Sequence, residues 1–240
     1  MLLDSAAGLL RAGGPAAVSV RAVAEASGTS FRAVYAVFGS KRALIDALAE
    51  RGYRSLVART SAIDATGDPR RDLVRAGAVA FREFALEEPE MFRLTFEQVS
   101  AEVLGHDRVA EAALDAYRAL RVSVRRARAA GAVHPDRSEE SCCFAFHSAC
   151  QGLAASELAA QAPPRGPGFW PMVADVDLAA LWRDALGSLV EGFAAPPGER
   201  WATDADSRTA PAQPSTRPVH PATRRTRSPS SERRRPTASG

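Results

Sequence analysis

Residues 19–41 read SVRAVAEASGTSFRAVYAVFGSK. Val20, Val23 and Ala24 are placed to share one side of a helix, Ser27-Gly28-Thr29-Ser30 interrupts them, and Val34 and Phe38 supply the next apolar positions. Ser19, Ser30 and Ser40 each stand where a helix N-cap belongs, because a short hydroxyl can accept from a free backbone N–H of the first turn. Gly28 falls in the tight turn, where a positive φ is needed. Two short helices crossing through such a turn make a helix-turn-helix, whose second helix enters a major groove.

Helical signals continue outward in both directions. Upstream, Leu3, Ala6, Ala7 and Leu10 keep helical spacing until Gly13-Gly14-Pro15 ends the helix. Downstream, a helix from Lys41 to about Arg59 aligns Leu44, Ile45, Leu48 and Leu56 on one apolar face. Asp68-Pro69 starts another, carrying Leu73, Ala76, Ala80 and Phe84, and Glu88-Pro89 closes it. A short apolar stretch follows, Met91 to Val99. Asp107 to Ala130 reads as one long helix with Leu114, Tyr117, Leu120 and Val124 on one face. Ser138 caps a helix to about Gln161, Pro163 to Pro171 is a loop, and Asp177 to Ala195 forms the last helix, with Leu178, Leu181, Trp182, Leu189 and Phe193. Strand signals are nearly absent. The expected fold is all-α, about nine helices: a three-helix head over 1–57 and a helical bundle over 58–197. The Pro/Ser/Arg-rich tail over 198–240 has only Trp201 and Val219 as large apolar residues, so its composition predicts disorder.

Composition narrows the function classes. Of 240 residues 46% are hydrophobic and 25% charged, as in soluble globular proteins. Three Cys exclude a disulfide framework. The longest charge-free candidate span, Ser141 to Ser156, is interrupted by His147 and Gln151, so no membrane partner is expected. Asp4 and Arg11 stand where a secretion signal would be apolar, so a cytoplasmic location is expected. The net charge of +3 divides unevenly: residues 1–60 hold 8 basic and 4 acidic groups, 61–197 hold 14 and 20, and 198–240 hold 9 and 4. A basic head on an acidic body suggests a nucleic-acid-binding head and a body that binds something else. Lys41 is the sole lysine; the other basic residues are Arg.

Ser19-Val20-Arg21, Ala24, Gly28, Tyr35, Phe38-Gly39-Ser40-Lys41 and Arg42-Ala43-Leu44 form an ordered series that resembles the DNA-binding domain of the TetR family of transcriptional regulators, over residues 2–57. Ala36 and Val37 stand where that family often carries polar or aromatic residues. Glu88-Pro89-Glu90-Met91-Phe92-Arg93-Leu94-Thr95-Phe96 and Gln151-Gly152-Leu153-Ala154 resemble segments of its WHG C-terminal subtype, with Gln151 in place of the subtype's His. The resemblance implies that Tyr35 and Lys41 contact phosphates, which position a protein on DNA without reading sequence. Ser19, with the backbone N–H groups after it, suits another phosphate, and Arg21 suits a phosphate or a base edge. Ser30, Phe31, Arg32 and Ala33 open the reading helix, and Arg32 has the fork for a bidentate guanine contact.

The resemblance also implies partners: a palindromic double-stranded DNA operator, a second copy of the chain, and a small-molecule effector of unknown identity. The homodimer would pack the last two long helices through Ala154, Ala155, Ala159, Leu181, Leu189 and Phe193. The effector pocket would draw on Phe84, Phe92, Phe96, Tyr117, Phe144, His147, Gln151 and Trp182, each aromatic of which reads equally as plain core. Cys143, His147 and Cys150 share one helical face and would suit a soft metal or thiol chemistry, but they lack a fourth ligand and read as buried small residues. No metal and no cofactor are expected. No phosphate loop, paired carboxylates or nucleophile motif is present, so the alternative class, a ligand-binding or thiol-dependent enzyme, rests on that Cys/His group alone. The expectation is a ligand-responsive regulator, a repressor rather than an activator, and not an enzyme.

Overall fold

Polar caps and apolar stripes set out the helices in a computed structural model that describes residues 1–97, 107–161 and 176–197. Among the described residues there are nine helices and no strand. They are α1 (Leu2–Ala17), α2 (Val20–Ala26), α3 (Phe31–Phe38), α4 (Lys41–Ser61), α5 (69–87), α6 (89–97), α7 (Asp107–Ala129), α8 (Glu139–Gln161) and α9 (Leu178–Gly192). The Pro163–Pro171 loop, the end of the apolar stretch at Val99 and the tail 198–240 lie outside the described residues.

The expected caps are made. Ser19, Ser30 and Ser40 accept through Oγ from the backbone N–H of Ala22, Ala33 and Ala43, at 3.0, 3.1 and 3.0 Å. Ser138 does the same for Ser141 at 3.0 Å, and Asp177, expected as the first residue of its helix, caps it instead by accepting from the Ala180 N–H at 3.0 Å. Gly28 has φ 63° and Gly39 φ 72°, left-handed conformations that a side chain resists, so glycine ends α2 and α3 cleanly.

Three details differ from expectation. Gly13 and Gly14 do break α1, but Pro15 opens a further turn to Ala17, since its fixed φ suits a helix start. The last helix is shorter than 177–195: Asp177 is its cap and Phe193 its C-cap. On α7 the buried face is Val109, Ala112, Val124 and Ala127, whereas Leu114 is 51% exposed and Tyr117 also reaches the surface. Ala112, Ala113 and Ala116 are small enough to let α7 lie close against Ala49 and Tyr53 of α4.

Two helices change pitch midway. Within α5 a π-helical turn, Ala76–Phe81, joins Pro69–Arg75 to Arg82–Glu87. In α6 the segment Pro89–Phe92 passes into a π-helical turn, Arg93–Glu97. One contiguous core runs from Leu10, Val23 and Leu48 in the head to Phe84, Phe92, Cys143 and Trp182 in the body, within the compact unit Met1–Glu199. Each such side chain contributes about 1.5–3 kcal/mol on burial. Close packing needs small residues at two crossings. A Cβ at Gly52 would collide with the Thr95 side chain and lie 3.3 Å from Met91 Cγ, so glycine lets α4 seat against α6. A Cβ at Gly77 would lie 2.5 Å from Leu186 Cδ1 and 2.9 Å from both Cys150 Sγ and Phe146 Cζ, so α5 meets α8 and α9 there without one.

Candidate nucleic-acid interface and interior cavity

Helix α3 is held by few of its own residues. Val34 is its one buried residue and Phe38 is half-buried; the other six of its eight residues are exposed. Val34 joins Val20, Val23 and Leu44 in the core, which fixes the angle at which α2 presents α3. The outer face carries Phe31 and Tyr35, 56% and 52% exposed, with rings stacked at 5.9 Å between centroids. Two aromatic rings this open contribute little to folding. Arg32, Ala33, Arg21 and Lys41 are also exposed and Ser19 is half-buried, so the eight residues predicted for DNA contact all lie on α2, α3, their caps Ser19 and Ser30, and the first residue of α4. Ser19 and Ser30 already accept from the backbone, which leaves each hydroxyl hydrogen free to donate outward. Lys41 is the first residue of α4, where the helix dipole disfavours a cation, so its charge gains nothing from the helix it begins.

A cavity of about 630 Å³ lies between α4, α5, α6, α7 and α8. That lies within the range of small-molecule sites, and the lining is mainly apolar. Of the residues predicted to line it, Phe96, Tyr117 and His147 do so. Phe84, Phe92 and Trp182 are instead fully buried core, and Gln151 does not reach the cavity. Phe144 is 74% exposed on the opposite side of α8, because two residues of helix separate it from the inward Phe146 by about 200°. The residues missed include Tyr53, Leu56 and Val57 of α4, Phe81 at the end of the α5 π-turn, and Phe146 and Cys150 of α8. The 143-146-150 spacing on α8 carried a signal for the last two.

Aromatic contacts knit one end of this cavity. Phe96 meets Tyr53 edge-on at 5.4 Å, Phe81 at 5.4 Å and His147 at 5.6 Å. The Tyr53 hydroxyl donates to the Thr95 carbonyl at 3.1 Å, tying α4 to the α6 π-turn. Burial pushes the Tyr53 phenol up and the His147 imidazole below its usual range, so both are neutral near pH 7. Cys142, Cys143 and Cys150 are buried, and desolvation raises all three thiols, Cys143 to about 11. Thiols so raised do not ionise near neutrality and are poor nucleophiles and metal ligands. Among the described residues no group of three His, Cys, Asp or Glu side chains is placed to hold a metal. No helix there is long and apolar enough to cross a membrane.

Comparison with known proteins agrees with this geometry. Residues 2–48 match the family model for bacterial regulatory proteins of the tetR family, and residues 74–189 match that for the tetracyclin repressor-like C-terminal domain. No curated protein matches the sequence. A protein with unknown function from Rhodococcus sp. RHA1 is 24% identical with a TM-score of 0.64, over 81% of this chain and 94% of that one. The TetR family transcriptional regulator PfmR from Thermus thermophilus is 22% identical with a TM-score of 0.54, over 79% and 96%. The transcriptional regulator FadR from Bacillus subtilis, in complex with stearoyl-CoA, is 14% identical with a TM-score of 0.62, over 80% and 97%. At these identities the likeness is one of fold.

Proposed function

Because the chain belongs to the tetR family of bacterial regulatory proteins and is a DNA-binding transcriptional regulator, we propose that it is a repressor released from a palindromic operator by a small molecule. The observation that carries this reading is the exposed α3 face, with Phe31, Arg32 and Tyr35 outward, on a head whose core is continuous with a cavity-bearing body. Tyr35, Lys41 and Ser19 take phosphates, and Arg32 reads a guanine edge. A ligand in the cavity presses on Tyr53, Leu56 and Val57 of α4, the helix that begins at Lys41. A conformer that binds ligand better and spaces the two heads wrongly then loses DNA affinity by the differential binding energy. The thiol-dependent enzyme is the weaker reading, since its three thiols are buried and held protonated.

A two-fold operator calls for two heads, so the functional unit is a homodimer. On α8, Phe144, Ser148, Gly152, Ala155 and Ala159 recur three and four residues apart and are all exposed, a stripe that suits close packing against a second copy. Ala154 and Phe193 belong to the chain's own core instead. The division of labour is head 1–57, body 58–197, and an Arg-rich tail 198–240 that adds sequence-independent attraction to DNA. The test is a band shift on the intergenic DNA beside the protein's own gene, with analytical ultracentrifugation of the free protein. A retarded band on a palindromic fragment, lost on adding a ligand that co-purifies with the protein, is expected. A strictly monomeric protein, or one with no preference for that fragment over scrambled duplex, would overturn the reading.

A further inference from the structure

The cavity has a polar end and an aromatic end, and the helices around it show the same division. On α5 the lining passes from Asp72 to Phe81, on α7 from Tyr117 to Arg126, and on α4 from Tyr53 to Thr60 and Ser61. Nine residues of helix span about 13 Å, which sets the length over which the character changes. The charged ends of α5 and α7 meet, with Asp72 Oδ2 3.7 Å from Arg126 Nη2. The aromatic ends of α4 and α5 meet through Phe96.

At the polar end each charge stands beside its opposite, and at the aromatic end the lining is neutral. Asp72 Oδ1 accepts from the Thr66 N–H at 2.8 Å and the Thr66 hydroxyl at 2.7 Å. Its Oδ2 is sealed from solvent without a hydrogen bond of its own and has Arg126 as its neighbouring cation. An anion approaching Arg126 would meet Asp72 beside it. At the aromatic end, Tyr53, His147 and Cys150 are all neutral near pH 7, because burial opposes the charged form of each. A charged headgroup entering there would lose its hydration and gain no ionic partner. His147 packs against Phe81 and Phe96 and, among the described residues, makes no hydrogen bond, so its neutral ring keeps a donor and an acceptor for something inside the cavity.

We infer that the cavity takes an uncharged, largely aromatic molecule about 13 Å long whose hydroxyl or carbonyl hydrogen-bonds to the His147 imidazole. The inference rests on the reading of this cavity as the effector site and adds the chemical class of the effector. His147 is then a specificity-determining contact, and the Asp72–Arg126 pair lines the far end with opposite charges side by side.

Four probes of equal body test it on the full chain, by displacement of Nile red near pH 7: 4-biphenylmethanol, biphenyl, biphenyl-4-carboxylate and 4-biphenylmethylammonium. The alcohol should bind at least about tenfold more tightly than either ion, through the unrepaid desolvation of the charge. It should exceed biphenyl about fivefold, the scale of one net hydrogen bond. His147→Leu should erase the advantage of alcohol over hydrocarbon, and His147→Gln, which keeps a donor and an acceptor, should retain most of it, with thermal melts confirming that both variants fold. An ion binding as tightly as the alcohol, or an alcohol advantage unchanged in His147→Leu, overturns the inference. Failure of all four probes to bind overturns both it and the effector-site reading. The expected order with no effect on operator affinity supports the inference and overturns only the role of the cavity in regulation.

Discussion

The Glu157 carboxylate of α8, 3% exposed, holds the Arg82 guanidinium of α5 at both ends, Nε donating to Oε2 at 2.9 Å and Nη2 to Oε1 at 2.6 Å. Trp182 of α9 donates its indole N–H to the same Oε2 at 2.8 Å, so one carboxylate fastens three helices. Removing Glu157 leaves the partly buried Arg82 guanidinium and the buried Trp182 indole N–H without their shared acceptor. Glu157→Ala should therefore destabilise the fold by about 3–5 kcal/mol. Trp182→Phe, which keeps most of the packing and deletes one donor, should cost about 1–3 kcal/mol. Urea denaturation of the two variants and their double measures this; strictly additive losses would mean that the groups do not act together.

Gly77→Ala tests the crossing of α5 with α8 and α9. The added methyl would have Phe146 Cζ, Cys150 Sγ and Leu186 Cδ1 within 2.9 Å, and all three side chains are buried. Overpacking of that kind costs about 1–3 kcal/mol, against the gain of less than about 1 kcal/mol that alanine brings to an open helical site. A lower denaturation midpoint at unchanged slope is expected, and a rise in midpoint would show that the helices can part without cost.

Much of this architecture was legible because it is local. Ser19, Ser30, Ser40 and Ser138 cap helices by reaching residues three positions on, and a sequence shows that spacing directly. The cavity was less legible for three physical reasons. Aromatic identity pointed to Phe144, whereas the 143-146-150 periodicity of α8 puts Phe146 inward. The π-helical turns at 76–81 and 93–97, which rotate Phe81 and Phe96 toward the cavity, have no composition that distinguishes them from α-helix. And α4 was divided between head and body, although its 21 residues run through both, so that Tyr53 and Leu56 line a site belonging to neither segment alone.

His147 makes stability depend on acidity. Burial lowers its folded-state pKa below the ordinary 6.5, so the unfolded chain binds a proton more readily than the folded one. The folded state loses stability as pH falls below the unfolded value, and the loss levels off only below the lowered folded value. His147→Phe removes that contribution and fills the same place against Phe81 and Phe96. The stability of the variant relative to the natural chain should thus rise between about pH 7.5 and pH 5, a window set by the reference imidazole pKa. Parallel stability curves across that window would show that the imidazole is already as free to protonate in the fold as outside it.

Phosphate contacts and base contacts on the head separate by their salt dependence. Lys41→Ala removes one exposed cation from the start of α4 and touches no core residue, so folding should be unaffected. It should weaken binding to every duplex alike and lower the slope of log affinity against log salt by about 0.9 per head, since one phosphate is no longer neutralised. Arg32→Ala, on the exposed face of α3, should cost about 1–3 kcal/mol on the operator and much less on scrambled DNA, because an unread guanine edge matters only where the guanine is present. Salt titrations of both variants on both duplexes give four slopes and four intercepts. If Lys41→Ala discriminates between the duplexes and Arg32→Ala does not, the two roles are exchanged. If neither variant alters binding, then the Phe31–Tyr35 face is not the surface that meets DNA, and the exposed rings need another partner.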